Sequence, residues 1–110
     1  MPPPPSASVE RVDRPALAEA LKEAAVLRAF VRVDGRLASI PTKLSKQLVV
    51  LNHIAQDFEI GRTYPEAEVS EMLARRHSDF AALRRYLVEN EFLERREGLY
   101  WRAGGTVEVD

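Results

Sequence analysis

The segment from Thr63 to Arg102, TYPEAEVSEMLARRHSDFAALRRYLVENEFLERREGLYWR, constrains this chain more than any other part of it. It reads as a short helix, a turn, a second helix with paired arginines, and a tight hairpin. Thr63 and Glu66 stand at capping-box spacing for the first helix, whose buried side is Val69, Met72 and Leu73. Arg75, Arg76 and His77 close it with cations, which suit a helix C-terminus. Ser78 is the expected cap of the second helix, with Phe80, Leu83 and Leu87 on one inward stripe and Asn90 at its end. Phe92–Arg96 and Leu99–Arg102 then flank Glu97-Gly98, where the glycine supplies a positive φ. Helix, turn, helix and hairpin in this order predict a winged helix-turn-helix, which sets its second helix in the DNA major groove.

The rest of the chain has to complete that fold. Leu17, Ala20, Leu21, Ala24, Leu27 and Val31 recur at helical steps, so Asp13–Val31 reads as an extra N-terminal helix capped by Asp13, with Pro15 in its first turn. Asp34-Gly35 marks a turn between short extended pieces. Pro41 stops any helix running through, and Thr42 or Ser45 can cap the next one. Lys43–Phe58 is the most apolar helix: Leu44, Leu48, Leu51, Ala55 and Phe58 form one face, widened by Val49, Val50 and Ile54. Such a helix belongs at the centre of the core or in a dimer seam. The expected fold class is therefore α+β, mostly helical, a winged helix-turn-helix with an extra N-terminal helix and a C-terminal hairpin wing. Residues 1–12 read as a disordered proline-rich tail, 13–103 as one domain, and 104–110 as a flexible tail.

Charge decides how far a nucleic-acid reading can go. The 110 residues carry a net charge of −1, so nothing global announces a polyanion ligand. The cations are clustered, however: Arg75, Arg76, Arg84 and Arg85 face one local acid, Asp79. With Phe80, Leu83 and Leu87 inward, the second helix would offer Ala81, Ala82, Arg84 and Arg85 to a groove. An arginine there can hold a phosphate or fork onto a guanine edge. Arg84 and Arg85 are the first DNA-binding candidates, followed by Lys43, Lys46, Arg62, Arg75, Arg76, Arg95 and Arg96. The opposing reading makes the two helix arginines ordinary solvated charges, one paired with Asp79 or with an acid on a neighbouring helix. Glu66, Glu68 and Glu71 on the first helix are awkward neighbours for a phosphate backbone. Of Tyr100 and Trp101, strand alternation sends one inward, and core packing is the expectation for Trp101.

Other chemistries find little support. The absence of cysteine excludes disulfides and thiolate catalysis. His53 and Asp57 stand four apart on one helix, yet no third ligand follows at a recognisable spacing. Neither Ser45 nor Ser78 has a nucleophile-elbow context, and no glycine-rich loop cradles a phosphate. No enzyme activity, cofactor or metal is expected. No apolar run approaches a membrane span, and the N-terminus has no signal-peptide pattern, so a cytoplasmic location is expected.

From Phe30 to Arg102 the chain resembles domain-of-unknown-function family 2087, a bacterial family found alone or attached to transcriptional regulators. The likeness rests on Gly35-Arg36-Leu37, Ile40-Pro41-x-Lys43, Lys46-Gln47-Leu48-Val49-Val50-Leu51, Phe58, Gly61-Arg62-x-Tyr64 and Glu66-x-Glu68-Val69. It continues through Asp79, Leu83-Arg84-Arg85-x-Leu87-Val88, Leu93-x-Arg95, Gly98 and Tyr100-Trp101-Arg102. Ser70 stands where the family commonly has Asn, and Glu91 where it has a turn glycine, which implies a less tight helix end. The resemblance carries no established activity. It implies structural roles for Tyr64, Trp101 and Asp79, the last as one half of an Asp79–arginine lock positioning the wing. Two functions follow as expectations. One is a DNA-binding transcriptional regulator, homodimeric through the N-terminal helix. The other is a protein-interaction or effector-sensing module that uses the same scaffold without DNA.

Overall fold

A computed structural model of the chain describes residues 14–103. Both tails and the expected cap Asp13 lie outside the described residues. The order is α1 (Arg14–Phe30), α2 (Leu44–Ala55), β1 (Thr63–Pro65), α3 (Glu66–Ala74), α4 (Phe80–Glu89), β2 (Leu93–Arg96) and β3 (Leu99–Arg102). About half of the described residues are helical, and the strands form one antiparallel sheet in the order β1-β3-β2. The α+β class expected from the sequence is borne out.

α2 forms the spine of the core. Val50, Leu51, Ile54 and Ala55 are fully covered, and turn-type bonds carry the chain on to the buried Phe58. Its first residue, Leu44, is left in solvent. Neither Thr42 nor Ser45 caps it. Lys43 holds the cap position with no side-chain bond, and Gln47 Nε2 donates to the Pro41 carbonyl instead. Against α2 pack Val69 and Leu73 of α3, Leu83 and Leu87 of α4, and Leu93, Tyr64 and Tyr100 of the sheet.

α1 departs from the single stripe read in the sequence. Val26, Leu27 and Phe30 lean on the core, whereas residues 14–23 are all exposed, including Leu17 and Leu21. Val31 has left the helix and bridges to Leu37 across the Asp34-Gly35 turn. The N-terminal half of α1 thus extends beyond the core.

The expected capping box at Thr63 is instead a strand. Thr63, Tyr64 and Pro65 pair with Trp101, Tyr100 and Leu99, and the Glu66 amide donates to the Gly98 carbonyl. α3 therefore starts from Pro65, whose fixed φ fits the entry to a helix. Ser78 does not cap α4; Asp79 does, its Oδ1 accepting from the Ala82 amide at 3.2 Å. This also turns Ala82 inward, where it is buried and no longer part of an outer face.

At the other end of α4 the bonds Glu91 N to Val88 O and Phe92 N to Leu87 O close a Schellman motif. Glu91 sits in the left-handed region at φ 66° to allow this. The helix end is tight after all, with a glutamate under backbone strain where glycine would be relaxed. The hairpin turn has both central residues at positive φ, Glu97 at 54° and Gly98 at 82°, the type I′ geometry that matches strand twist.

Alternation places Tyr64, Tyr100 and Arg95 in one row on the inner face of the sheet and Thr63, Trp101 and Glu94 in one row on the outer. Tyr100, not Trp101, is the core aromatic; Trp101 stays partly exposed.

Candidate functional site

α3 and α4 meet through a five-residue connection, Arg75–Asp79, and the β2–β3 hairpin lies beside them. Three polar ties hold this unit in shape.

The first joins α3, α4 and β3. Arg84 Nη1 donates to Ser70 Oγ on α3, and its Nη2 stands 4.0 Å from Glu66 Oε2. The other oxygen of Glu66 accepts from the Tyr100 hydroxyl at 2.9 Å. Burial, followed by that hydrogen bond, raises the Tyr100 pKa, which keeps the phenol protonated as the donor. Arg84 is thus engaged with an acid and a hydroxyl of the neighbouring helix. No Asp79–arginine lock forms, because Asp79 is occupied with the helix cap.

The second tie anchors the end of α3. Arg76 forks onto Asp57 through Nε and Nη2 at 2.9 and 2.8 Å, and its Nη1 donates to the Gly35 carbonyl at 2.7 Å. Nη1 also lies 3.4 Å from His53 Nε2. The Asp57 hydrogen bond raises the Arg76 pKa, so the guanidinium stays charged. Arg36 completes the junction by donating to the Ala74 and Arg75 carbonyls, which have no partner within the helix, while the Leu37 amide donates to the Arg76 carbonyl. Sequence reading gave Arg36 a place in the family likeness but no role. Its partners lie 38 and 39 residues away, and no local pattern reports such a pairing.

The third tie is lighter. Arg62 lies over the Tyr64 ring at 4.5 Å and pairs with Glu68 at 2.9 Å, while Tyr64 accepts the Glu59 amide on its hydroxyl.

After these ties, the arginines and lysines proposed from sequence divide into two groups. Arg62, Arg76 and Arg84 are committed inside the domain. Arg85 is more than half exposed, pairs at 3.8 Å with the equally exposed Glu89 and lies over the Tyr86 ring at 5.0 Å. Arg95 is exposed, with its guanidinium 5.8 Å from the Tyr100 ring. Lys43, Lys46, Arg75 and Arg96 are exposed and enter no ion pair among the described residues. His53 and Asp57 are spoken for by Arg76, and no group of three metal-ligating side chains occurs among the described residues. No helix among them is long and apolar enough to cross a membrane.

The fold and site define a small α+β domain presenting a helix pair and a hairpin, with solvent-facing arginines on both. Residues 36–102 match the family described as "uncharacterized protein conserved in bacteria" (DUF2087), and the chain belongs to that family. The matched span opens at Arg36, which seals the end of α3, and closes at the last residue of β3. α1 precedes it. No curated protein and no solved structure matches the chain.

Proposed function

We propose that this protein is a DNA-binding transcriptional regulator of the winged helix-turn-helix type. In this reading α3 and α4 are the helix-turn-helix, α4 enters the major groove, and β2–β3 is the wing. The observation that carries it is the presence of two exposed arginines, Arg85 on α4 and Arg96 beside the hairpin turn, on elements joined to α3 by the Arg84–Ser70 and Tyr100–Glu66 bonds. Arg85 is the groove contact. Arg75, Arg95 and Arg96 are phosphate contacts, and Lys43 and Lys46 lie further out. With few free cations, binding is modest and strongly salt-dependent.

α1 gives the assembly. The first ten residues of α1 are exposed and carry Leu17 and Leu21 in solvent, so a homodimer seam along that half is part of the proposal. A dimer presents two recognition helices to a two-fold operator.

The test is fluorescence anisotropy of the protein with pooled genomic duplexes at two salt concentrations. Salt-sensitive binding that enriches particular fragments supports the reading. No binding at low salt overturns it. That outcome favours the second reading, a partner- or effector-binding module, for which the acids Glu66, Glu68 and Glu71 beside α4 speak.

A further inference from the structure

One atom, Nη1 of Arg76, touches both the Gly35 turn and His53 of α2. It donates to the Gly35 carbonyl at 2.7 Å and faces His53 Nε2 at 3.4 Å. That second contact is attractive only while Nε2 carries a lone pair. The imidazole must be neutral, with its proton on Nδ1.

We infer that His53, Arg76, Asp57 and Gly35 form a proton-sensitive latch, closed when His53 is neutral and loosened when it takes up a proton. Protonation replaces an acceptor with a cation 3.4 Å from the guanidinium. Asp57, already forked onto Arg76, then faces two cations with one carboxylate. Displacement of Nη1 weakens its bond to Gly35 first, since the Asp57 fork uses the other two nitrogens.

The Gly35 turn does not stand alone. Gly35 is at φ +88° and its amide donates to Arg32, so the turn is tightly specified. Two residues on, the Leu37 amide donates to the Arg76 carbonyl, and Arg36 covers the last carbonyls of α3. Loosening the latch therefore reaches the connection between α3 and α4.

The surrounding charges set the direction. Burial of the ring, and after it the Arg76 cation, hold the His53 pKa below its ordinary 6.5, against the pull of Asp57. From α1, Glu23 lines the same groove as His53, together with Leu27, Leu48 and Phe92. Asp34 and Arg75 line the neighbouring cleft with Asp57 and Arg76. Because the folded value lies below the unfolded one, the unfolded chain takes the proton first. Stability is then fully present above about pH 6.5 and falls as the pH drops toward the folded value.

The experiment is an NMR titration of the whole chain from pH 8 to 4.5, with thermal melts at each pH. The chain has two histidines, so His53 and His77 are separable. His77 Nδ1 accepts the Asp79 amide and reports its own contact. The latch predicts a His53 midpoint below 6.5, with Gly35 and Leu37 amide shifts following that midpoint and not that of His77. It also predicts a melting temperature that falls between pH 7 and 5. His53→Gln keeps an acceptor near Nε2 without a titrating proton, and should flatten that fall. A His53 midpoint at or above 6.5, Gly35 and Leu37 amides that ignore it, or an unchanged pH slope in His53→Gln overturns the latch. The wild-type titration decides the matter even if the variant does not fold.

Discussion

Removing either of two adjacent arginines should have unequal consequences, and the structure says which is which. Arg84 has about a quarter of its side chain exposed, donates to Ser70 Oγ and approaches Glu66. The hydrogen bond contributes about 1 kcal/mol net. The Glu66 contact, at 4.0 Å to a half-exposed carboxylate, adds no more than ~0.5 kcal/mol. Loss of the covered stem raises the cost of Arg84→Ala to about 2 kcal/mol. In a domain of this size that lowers the melting temperature by roughly 8–16 °C. Arg85→Ala loses a 3.8 Å surface pair between side chains 57% and 59% exposed and a 5.0 Å contact with the Tyr86 ring, together worth about 1 kcal/mol at most. Urea titrations followed through Trp101, the single tryptophan, measure both. A double-mutant cycle of Arg84→Ala with Ser70→Ala isolates the tie, with an expected coupling of about 1 kcal/mol. If Arg84→Ala is as stable as Arg85→Ala, or the cycle is additive, Arg84 is a free cation and the division of arginines drawn above fails.

Other expectations follow from single contacts. Glu91→Gly should stabilise the protein by roughly 0.5–1 kcal/mol, because the Schellman end of α4 holds position 91 at φ 66°; a loss of stability on thermal melting would refute the strain argument. Tyr100→Phe keeps the buried ring and removes only the donor to Glu66, so urea unfolding should show a cost of about 1 kcal/mol, with none if Glu66 is satisfied by water. Leu17→Glu with Leu21→Glu should convert a dimer to a monomer by light scattering without changing the fold; a wild-type monomer ends the α1 seam. Arg85→Ala should weaken DNA binding by ~1–3 kcal/mol and relax sequence preference, while Arg96→Ala should lower the salt slope by about 1 for all sequences.

What was legible in the sequence follows from where the information sits. α2, α3, α4 and the hairpin announce themselves by local means, since apolar spacing and the Glu97-Gly98 turn act within a few residues. Errors arose where a distant partner overrode a good local signal or where a neighbouring residue made the same bond better. Thr63 and Glu66 satisfy the spacing of a capping box, yet β3 offered Thr63–Pro65 a strand partner, and the sheet won. Ser78 lost the cap to Asp79, one position along, because Asp79 alone reaches the Ala82 amide. Between Tyr100 and Trp101 the choice depends on strand register, which the pairing of Tyr100 with Tyr64 fixes 36 positions away in the chain. Arg36 showed only as part of the family likeness, because a guanidinium satisfying helix carbonyls looks like any surface charge until the chain is folded.

The same point bears on the net charge, which weighed against a nucleic-acid partner. A formal charge of −1 counts every cation and acid equally, but the folded domain does not. Arg62, Arg76 and Arg84 are tied to Glu68, Asp57 and Glu66, so three acids and three bases cancel locally. What solvent meets near α4 and the hairpin is Arg75, Arg85, Arg95 and Arg96 against Asp79, Glu89, Glu91, Glu94 and Glu97, and Asp79 is bound to a backbone amide. That surface is mixed. It can hold a phosphate only by giving up weak exposed pairs such as Arg85–Glu89, and those are the pairs that cost least to break. Mutating Glu89 to Gln should therefore strengthen DNA binding and steepen its salt dependence. Anisotropy unchanged by Glu89→Gln would mean that Arg85 does not face the ligand.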